Sequence, residues 1–357
     1  MFGGKSKHGG RPIGLDVGED AVRLLQLSPR GAAAAAAQAP LPAGVSPGGE
    51  AYHAAVSKAV GEALREGGFA GSRVISALPA SALQCKNLRL PVMPADELAS
   101  AVRWEAADRF GYAEKKISSQ FLVAGEVRQG EEQRQEIILL ATKLDFVEAH
   151  VASLVENRLR LQAIDVAPAA LARLGAPGAD APGVRVVLDV GRGATQVLIV
   201  QDGRVLFYKP IEIGVARLEA EAAGALNLSL DQARQRLEAS DTDTAGLRAV
   251  EPALGELGRE IGLCLRYYGV TFRGPRPETA ALVGRGAAPW LAGALGAATG
   301  LGLETDDALG GIDLSAVRGA VPAGTEHRWA VAAGLSLRGG PAGAGASPEA
   351  TAGGVAA

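Results

Sequence analysis

Cysteine, histidine and aromatic side chains are scarce in this chain of 357 residues, and each scarcity excludes something. The two cysteines, Cys85 and Cys264, lie far apart in apolar contexts. That placement favours buried free thiols in a reducing compartment over a disulfide. Four scattered histidines and two cysteines give no metal-ligand spacing. With aromatics at 4% and 48 glycines, the cores must be built from small side chains and close backbone contacts. A net charge of −3 leaves no electrostatic footprint for nucleic acid. No apolar run reaches the length of a membrane span, and the N-terminus lacks the apolar segment of a signal peptide. The expectation is a cytoplasmic protein without direct membrane insertion, of a length that suggests two domains.

What is present is a stretch that occurs twice. Residues 13–27 read IGLDVGEDAVRLLQL and residues 186–200 read VVLDVGRGATQVLIV. Each is an apolar strand ending in Asp-x-Gly, a short turn and a second apolar strand. The carboxylates of Asp16 and Asp189 need a partner if they are buried, and either a cation with its waters or a lysine would serve. Gly18, Gly191 and Gly193 let turn backbone approach a ligand and aim N–H groups at phosphate oxygens. One copy alone would read as an ordinary hairpin. Two copies point to two similar domains facing one cleft.

Between the copies, helical spacing predicts a helix over 51–66, closed by Gly67-Gly68, and a strand follows at 74–78. Residues 82–142 then read as a compact α+β insert with strands at 83–90, 119–128 and 135–142 and a helix over 95–109. A helical face from Leu144 to Val155, a strand at 161–166 and a short helix at 169–174 complete the first half. The Pro- and Gly-rich run 176–183 marks a boundary. In the second half, strands are expected at 204–210 and 279–283. Helices are expected over 227–239, 254–272, 290–295 and 327–337. Gly284-Arg285-Gly286 closes the last strand and precedes a helix, a turn that brings glycine backbone beside a flat or anionic ligand.

The order Asp-x-Gly hairpin, the same hairpin again, then Gly-x-Gly before an apolar helix resembles the actin/Hsp70/sugar-kinase superfamily. IGLDVG with VRLLQLS, LPVMPADELASAVRWEA over Leu90–Ala106, VVLDVG and the closing AVAAGLSLRG narrow it. Over residues 12 to 338 the chain resembles the PilM family of actin-like type IV pilus assembly proteins. The resemblance implies an α/β, actin-like (Hsp70/FtsA-type) two-domain ATPase fold. Domain I would span 12–175 and 325–338, with an FtsA-like insert subdomain at about 82–142. Domain II would span 184–324, and tails at 1–11 and 339–357 would be disordered. It further implies ATP or ADP with magnesium, a PilN-like inner-membrane protein whose N-terminal tail is gripped, and other platform components of a pilus or related type II secretion system. Asp16 and Gly18 would belong to one phosphate loop, Asp189, Gly191, Gly193 and Thr195 to the other, and Gly284, Arg285 and Gly286 to an adenosine loop. Asp16 and Asp189 would orient the waters of magnesium. On the insert helix Trp104 is expected in the subdomain core, with Arg103 or Trp104 facing a partner groove as the alternative.

Three features depart from the family pattern. Glu19 and Asp20 stand where small hydroxylated residues usually follow the first glycine; they either repel a polyphosphate or point outward at the hairpin tip. Arg285 replaces the middle of three glycines and would stack on adenine or block it. Ala167 or Pro168 stands where active ATPases place a water-orienting carboxylate or amide, so turnover is expected to be weak at most. The competing readings are an actin-fold ATPase or phosphotransferase, and an FtsA-like polymerising scaffold. The scaffold would need a basic amphipathic C-terminal helix.

Overall fold

A computed structural model of the chain describes residues 10–174, 183–239, 244–305 and 309–338. Nearly all of the expected N-terminal tail, the C-terminal tail and most of the run 176–183 lie outside the described residues. Strand β1 (Ile13–Val17) pairs antiparallel with β2 (Ala21–Leu27), which pairs with β3 (Ala33–Pro40). Helix α1 (Tyr52–Gly67) buries Tyr52, Val56, Ala59, Val60 and Ala63 as one stripe and ends at Gly68, whose φ of 63° a side chain would resist. Strand β4 (Arg73–Ala77) returns parallel to β1. Every residue of β2 is buried, the pattern of a central strand covered on both faces.

The insert follows as β5 (Gln84–Pro91), α2 (Ala95–Phe110), β6 (Ile117–Gln129) and β7 (Glu132–Lys143), a separate antiparallel sheet in the order β5-β7-β6. Its inner face joins a cluster with Tyr208 and Val205 from the second half, while α2 covers Leu88, Ile137 and Leu139 on the other face. Helix α3 (Leu144–Glu156), strand β8 (Arg160–Asp165) and helix α4 (Ala167–Leu174) finish the first sheet, whose order is β3-β2-β1-β4-β8.

The second half repeats that order. Strands β9 (Val184–Val190), β10 (Thr195–Gln201) and β11 (Arg204–Ile211) form an antiparallel meander. Helices α5 (Val215–Leu226), α6 (Leu230–Glu238) and α7 (Thr244–Phe272) lead to β12 (Thr279–Val283), α8 (Pro289–Thr299) and β13 (Gly302–Glu304). The sheet reads β11-β10-β9-β12-β13, with β9, β12 and β13 parallel. After a 3-10 turn over Glu326–Trp329, helix α9 (Ala330–Leu337) returns to the first sheet. There Ser336 donates to the carbonyl of Pro12 at 2.7 Å and accepts from the amide of Leu27 at 3.0 Å.

Several expectations change. Helix α5 was not anticipated, and neither was β13. Helix α7 begins ten residues before Leu254 and carries Pro252 inside it. The expected helix 327–337 is a 3-10 turn followed by α9. Both thiols are free, but Cys85 is only partly buried. Among the described residues no helix is long and apolar enough to cross a membrane.

Candidate functional site

The repeated hairpins meet across one cleft. In each, the aspartate faces the residue seven positions later on the neighbouring strand: Asp16 opposite Arg23 and Asp189 opposite Gln196. The turns are superimposable in their hydrogen bonding, with Gly18 N–H donating to the Ala21 carbonyl at 3.0 Å and Gly191 N–H to the Ala194 carbonyl at 2.9 Å. The cleft is lined by Asp16, Gly18, Glu19, Asp20 and Arg23 on one side. Asp189, Gly191, Arg192, Gly193, Gly284 and Arg285 line the other, and Ala167, His327 and Arg328 also border it.

Asp16 and Asp189 therefore share an opening, and the charge of Asp189 acts on Asp16. Enclosure pushes the Asp16 carboxyl up to about 7; Arg23 pulls it back, while Asp189 and Asp20 add to the rise. Enclosure likewise raises Asp189 to about 6, against the pull of Arg23 and the hydrogen bond from Gln196 Nε2 to its Oδ2 at 2.6 Å. Gln196 is held in turn by Tyr208, whose hydroxyl donates to its Oε1 at 2.9 Å. Gly284, at φ 86°, lies so close to Asp189 that any side chain there would meet the carboxylate.

Asp20 behaves differently. Burial alone would raise its carboxyl, but Arg23 and Arg285 outweigh that and hold it below the usual value. Arg285 Nη1 reaches Asp20 Oδ2 at 2.5 Å and its Nη2 lies 3.8 Å from Glu219 Oε1. Glu219, only 5% exposed, also faces Arg234 at 3.1 Å and Arg192 at 3.8 Å. Glu19 lies over the second turn, its Oε2 2.7 Å from the position a Cβ on Gly193 would take. Both acids of the first turn thus point into the cleft, and the outward alternative is excluded.

The other anticipated residues divide. Thr195 does not reach the cleft: it is fully buried and its hydroxyl donates to the Ile213 carbonyl at 2.6 Å, tying the start of β10 to the segment before α5. Gly286 packs its backbone against Val190 and Val215 and donates its N–H to the Val190 carbonyl. Arg285 does not stand free: it pairs with Asp20 across the cleft. Trp104 is not in the insert core. It is 66% exposed, because Leu98, Val102 and Ala106 form the buried line of α2 and Trp104 lies about 200° round from Val102. Arg103 is exposed beside it, with Nη2 3.3 Å from Ser100 Oγ.

Arg23, Gln196, Arg192, Glu219, His327 and Arg328 were missed. The signal for Arg23 and Gln196 was available, since both occupy the same register position after the aspartate. The others depend on contacts between distant segments.

A divalent cation with a phosphate chain suits part of this chemistry. Two enclosed carboxylates share the pull of Arg23, on which Asp20 also draws, and among the described residues the buried Nε atoms of Arg23 and Arg328 have no acceptor. The space does not suit it as the halves stand. The cleft holds about 90 Å³, against roughly 300–1,000 Å³ for small-molecule sites. A wider cavity of about 360 Å³ lies outside it, bordered by Glu19, Arg192, Ser46 and Ser81.

Residues 14–339 match the family described as type IV pilus assembly protein PilM. Among solved structures, the chain aligns with the "PilM-PilN type IV pilus biogenesis complex" at 25% identity and a TM-score of 0.76, covering 93% of this chain and 99% of that one. It also aligns with the ethanolamine utilization protein EutJ from Carboxydothermus hydrogenoformans at 13% identity and a TM-score of 0.57, covering 91% and 89%. The latter likeness is one of fold. No curated protein matches the chain. The fold is the actin-like one, two five-stranded sheets of equal strand order around a cleft.

Proposed function

The chain belongs to the family of the type IV pilus assembly protein PilM, and from that premise we propose that it is a cytoplasmic adaptor of the pilus assembly platform, held at the inner membrane by the N-terminal tail of a PilN-like protein. The observation that carries this reading is the near-complete alignment with the chain of a PilM–PilN complex. The docking surface we assign to the insert, where Arg103 and Trp104 stand exposed on α2. A half-extended peptide could bury the indole, and aromatic and arginine side chains dominate such contacts. The division into domains at 12–175 with 325–338 and at 184–324 belongs to the same reading.

The cleft we assign to ATP or ADP with magnesium, on the condition that the halves part. Asp16 and Asp189 would hold the cation through waters, and the turn backbone at Gly193 would face phosphate; the amides of Gly18 and Gly191 are used inside their own turns, so these two glycines serve by close approach and not as donors. Bound there, the nucleotide supplies a charged bridge between the halves. Ala167, at the border of the cleft, carries no side chain that orients a water, so turnover is not part of the function proposed.

Titration of the full chain with a synthetic N-terminal peptide of a candidate partner, followed by calorimetry, tests the adaptor reading. Saturable binding is expected. Trp104→Ala should weaken it about tenfold or more while leaving the melting temperature unchanged, because the side chain is exposed. Absence of binding both with and without Mg-ATP would remove the reading.

A further inference from the structure

We propose that the acidic tip of the first hairpin, Glu19 and Asp20, is a built-in latch that occupies the phosphate position and closes the cleft without nucleotide. The proposal rests on the assignment of the cleft to a nucleotide.

Three observations on opposite walls carry it. The Asp20–Arg285 ion pair joins the first hairpin turn to the turn after β12, with both side chains less than one-fifth exposed. Arg285 is braced from behind by Glu219, which Arg234 and Arg192 also face. Glu19 lies on Gly193, so the carboxylate of one turn rests on the glycine of the other. In the first case a carboxylate oxygen of the chain stands where Arg285 would otherwise receive an anionic oxygen, and in the second it covers the glycine turn that would face one.

The latch satisfies the cleft incompletely, which is what a displaceable stand-in requires. Arg23 and Arg328 each keep a buried Nε without an acceptor, and His327 keeps a buried Nε2 without a partner. A polyphosphate entering the cleft would offer more oxygens to these arginines than two carboxylates do. It would first have to expel Glu19 and Asp20, since the closed cleft holds only about 90 Å³. Left in place beside a phosphate chain, those carboxylates would repel it at close range. Nucleotide and hairpin tip therefore compete for the same arginines, and the tip sets how much nucleotide is needed to occupy the cleft.

The experiment uses the full chain and the Glu19→Ser/Asp20→Ser double variant, with Arg285→Ala as a second way of breaking the latch. Binding of a fluorescent ATP analogue with magnesium is titrated for wild type and the double variant. Hydrogen exchange at the three turns is followed without nucleotide for wild type and Arg285→Ala. The same samples are titrated with the partner peptide. The double variant should bind the analogue at least tenfold more tightly, and Arg285→Ala should exchange faster at residues 18–21, 191–194 and 284–287. Equal or weaker analogue binding by the double variant overturns the latch, as does failure of both proteins to bind the analogue. Unchanged exchange in Arg285→Ala overturns it as well. The peptide titration is read separately, so a failed latch with intact peptide binding leaves the adaptor reading standing.

Discussion

Asp16 and Asp189 occupy the same register position in two copies of one hairpin, yet their neighbours differ. Asp189 accepts a neutral hydrogen bond from Gln196, whereas Asp16 faces the cation of Arg23. Arg23 is shared with Asp20 at 3.8 Å, so its charge is not spent on Asp16 alone. Enclosure wins, and the carboxyl of Asp16 rises to about 7 and that of Asp189 to about 6. A carboxyl whose folded value exceeds its unfolded value binds more protons in the native state, so stability falls as pH rises from about 4 to about 7. Above that window the penalty is complete. Asp16→Asn should therefore stabilise the chain at pH 8 in chelator, on the order of 2 kcal/mol, and change little at about pH 4. Thermal melts across that range decide it; equal stabilisation at both ends would place the effect elsewhere than in the charge.

At the scale of the element, α9 shows what glycine does in this chain. Gly14 on β1 faces the Ala332 carbonyl of α9 so closely that a Cβ has no room, and Gly334 of α9 stands in the same relation to Ala170 of α4. The C-terminal helix is thereby wedged between the first strand and a helix of its own half. Gly14→Ala should force α9 off the sheet and cost about 1–3 kcal/mol or more, as overpacked cores do, measured by denaturant unfolding. Helix α1, with its strong contrast between faces, and both hairpins, with their continuous apolar runs, were legible in the sequence. Helix α5 was not: its buried line is Val215, Leu218, Glu219 and Ala222, a stripe of small residues interrupted by an acid whose partners lie on other elements. The helix expected from Leu254 left out the first turns of α7, which the packing of Val250 and Ala253 keeps helical around Pro252. Trp104 was expected in the core of the insert, although its angular position on α2 already argued otherwise. In the cleft, the two aspartates were visible because they sit in a repeated local pattern. The Asp20–Arg285 pair was not, since it joins segments 265 residues apart.

Across the whole molecule, the insert links the halves. Its strands are threaded between β4 and α3 of the first half, yet its polar contacts run to the second. Asn87 donates to the Tyr208 carbonyl at 3.5 Å, and Arg89 reaches Thr271 Oγ1 at 3.0 Å. Glu136, only 1% exposed, accepts from Arg89 Nε at 2.7 Å and from the hydroxyl of Tyr267 on α7. Burial and the neighbouring Glu136 push that phenol up to about 12, so it remains a donor at any physiological pH. The insert is thus hydrogen-bonded to α7, and α7 packs in turn on α5, the helix that carries Glu219. Removing the phenol hydroxyl leaves a buried carboxylate one donor short, at a cost of about 1–3 kcal/mol. Tyr267→Phe should lower the unfolding free energy by that amount and raise hydrogen exchange across β5, β6 and β7. Exchange in the first sheet should stay as it was. If exchange rose equally in both sheets, the hydroxyl would be stabilising the chain at large, and the insert would not be joined to the second half through Glu136.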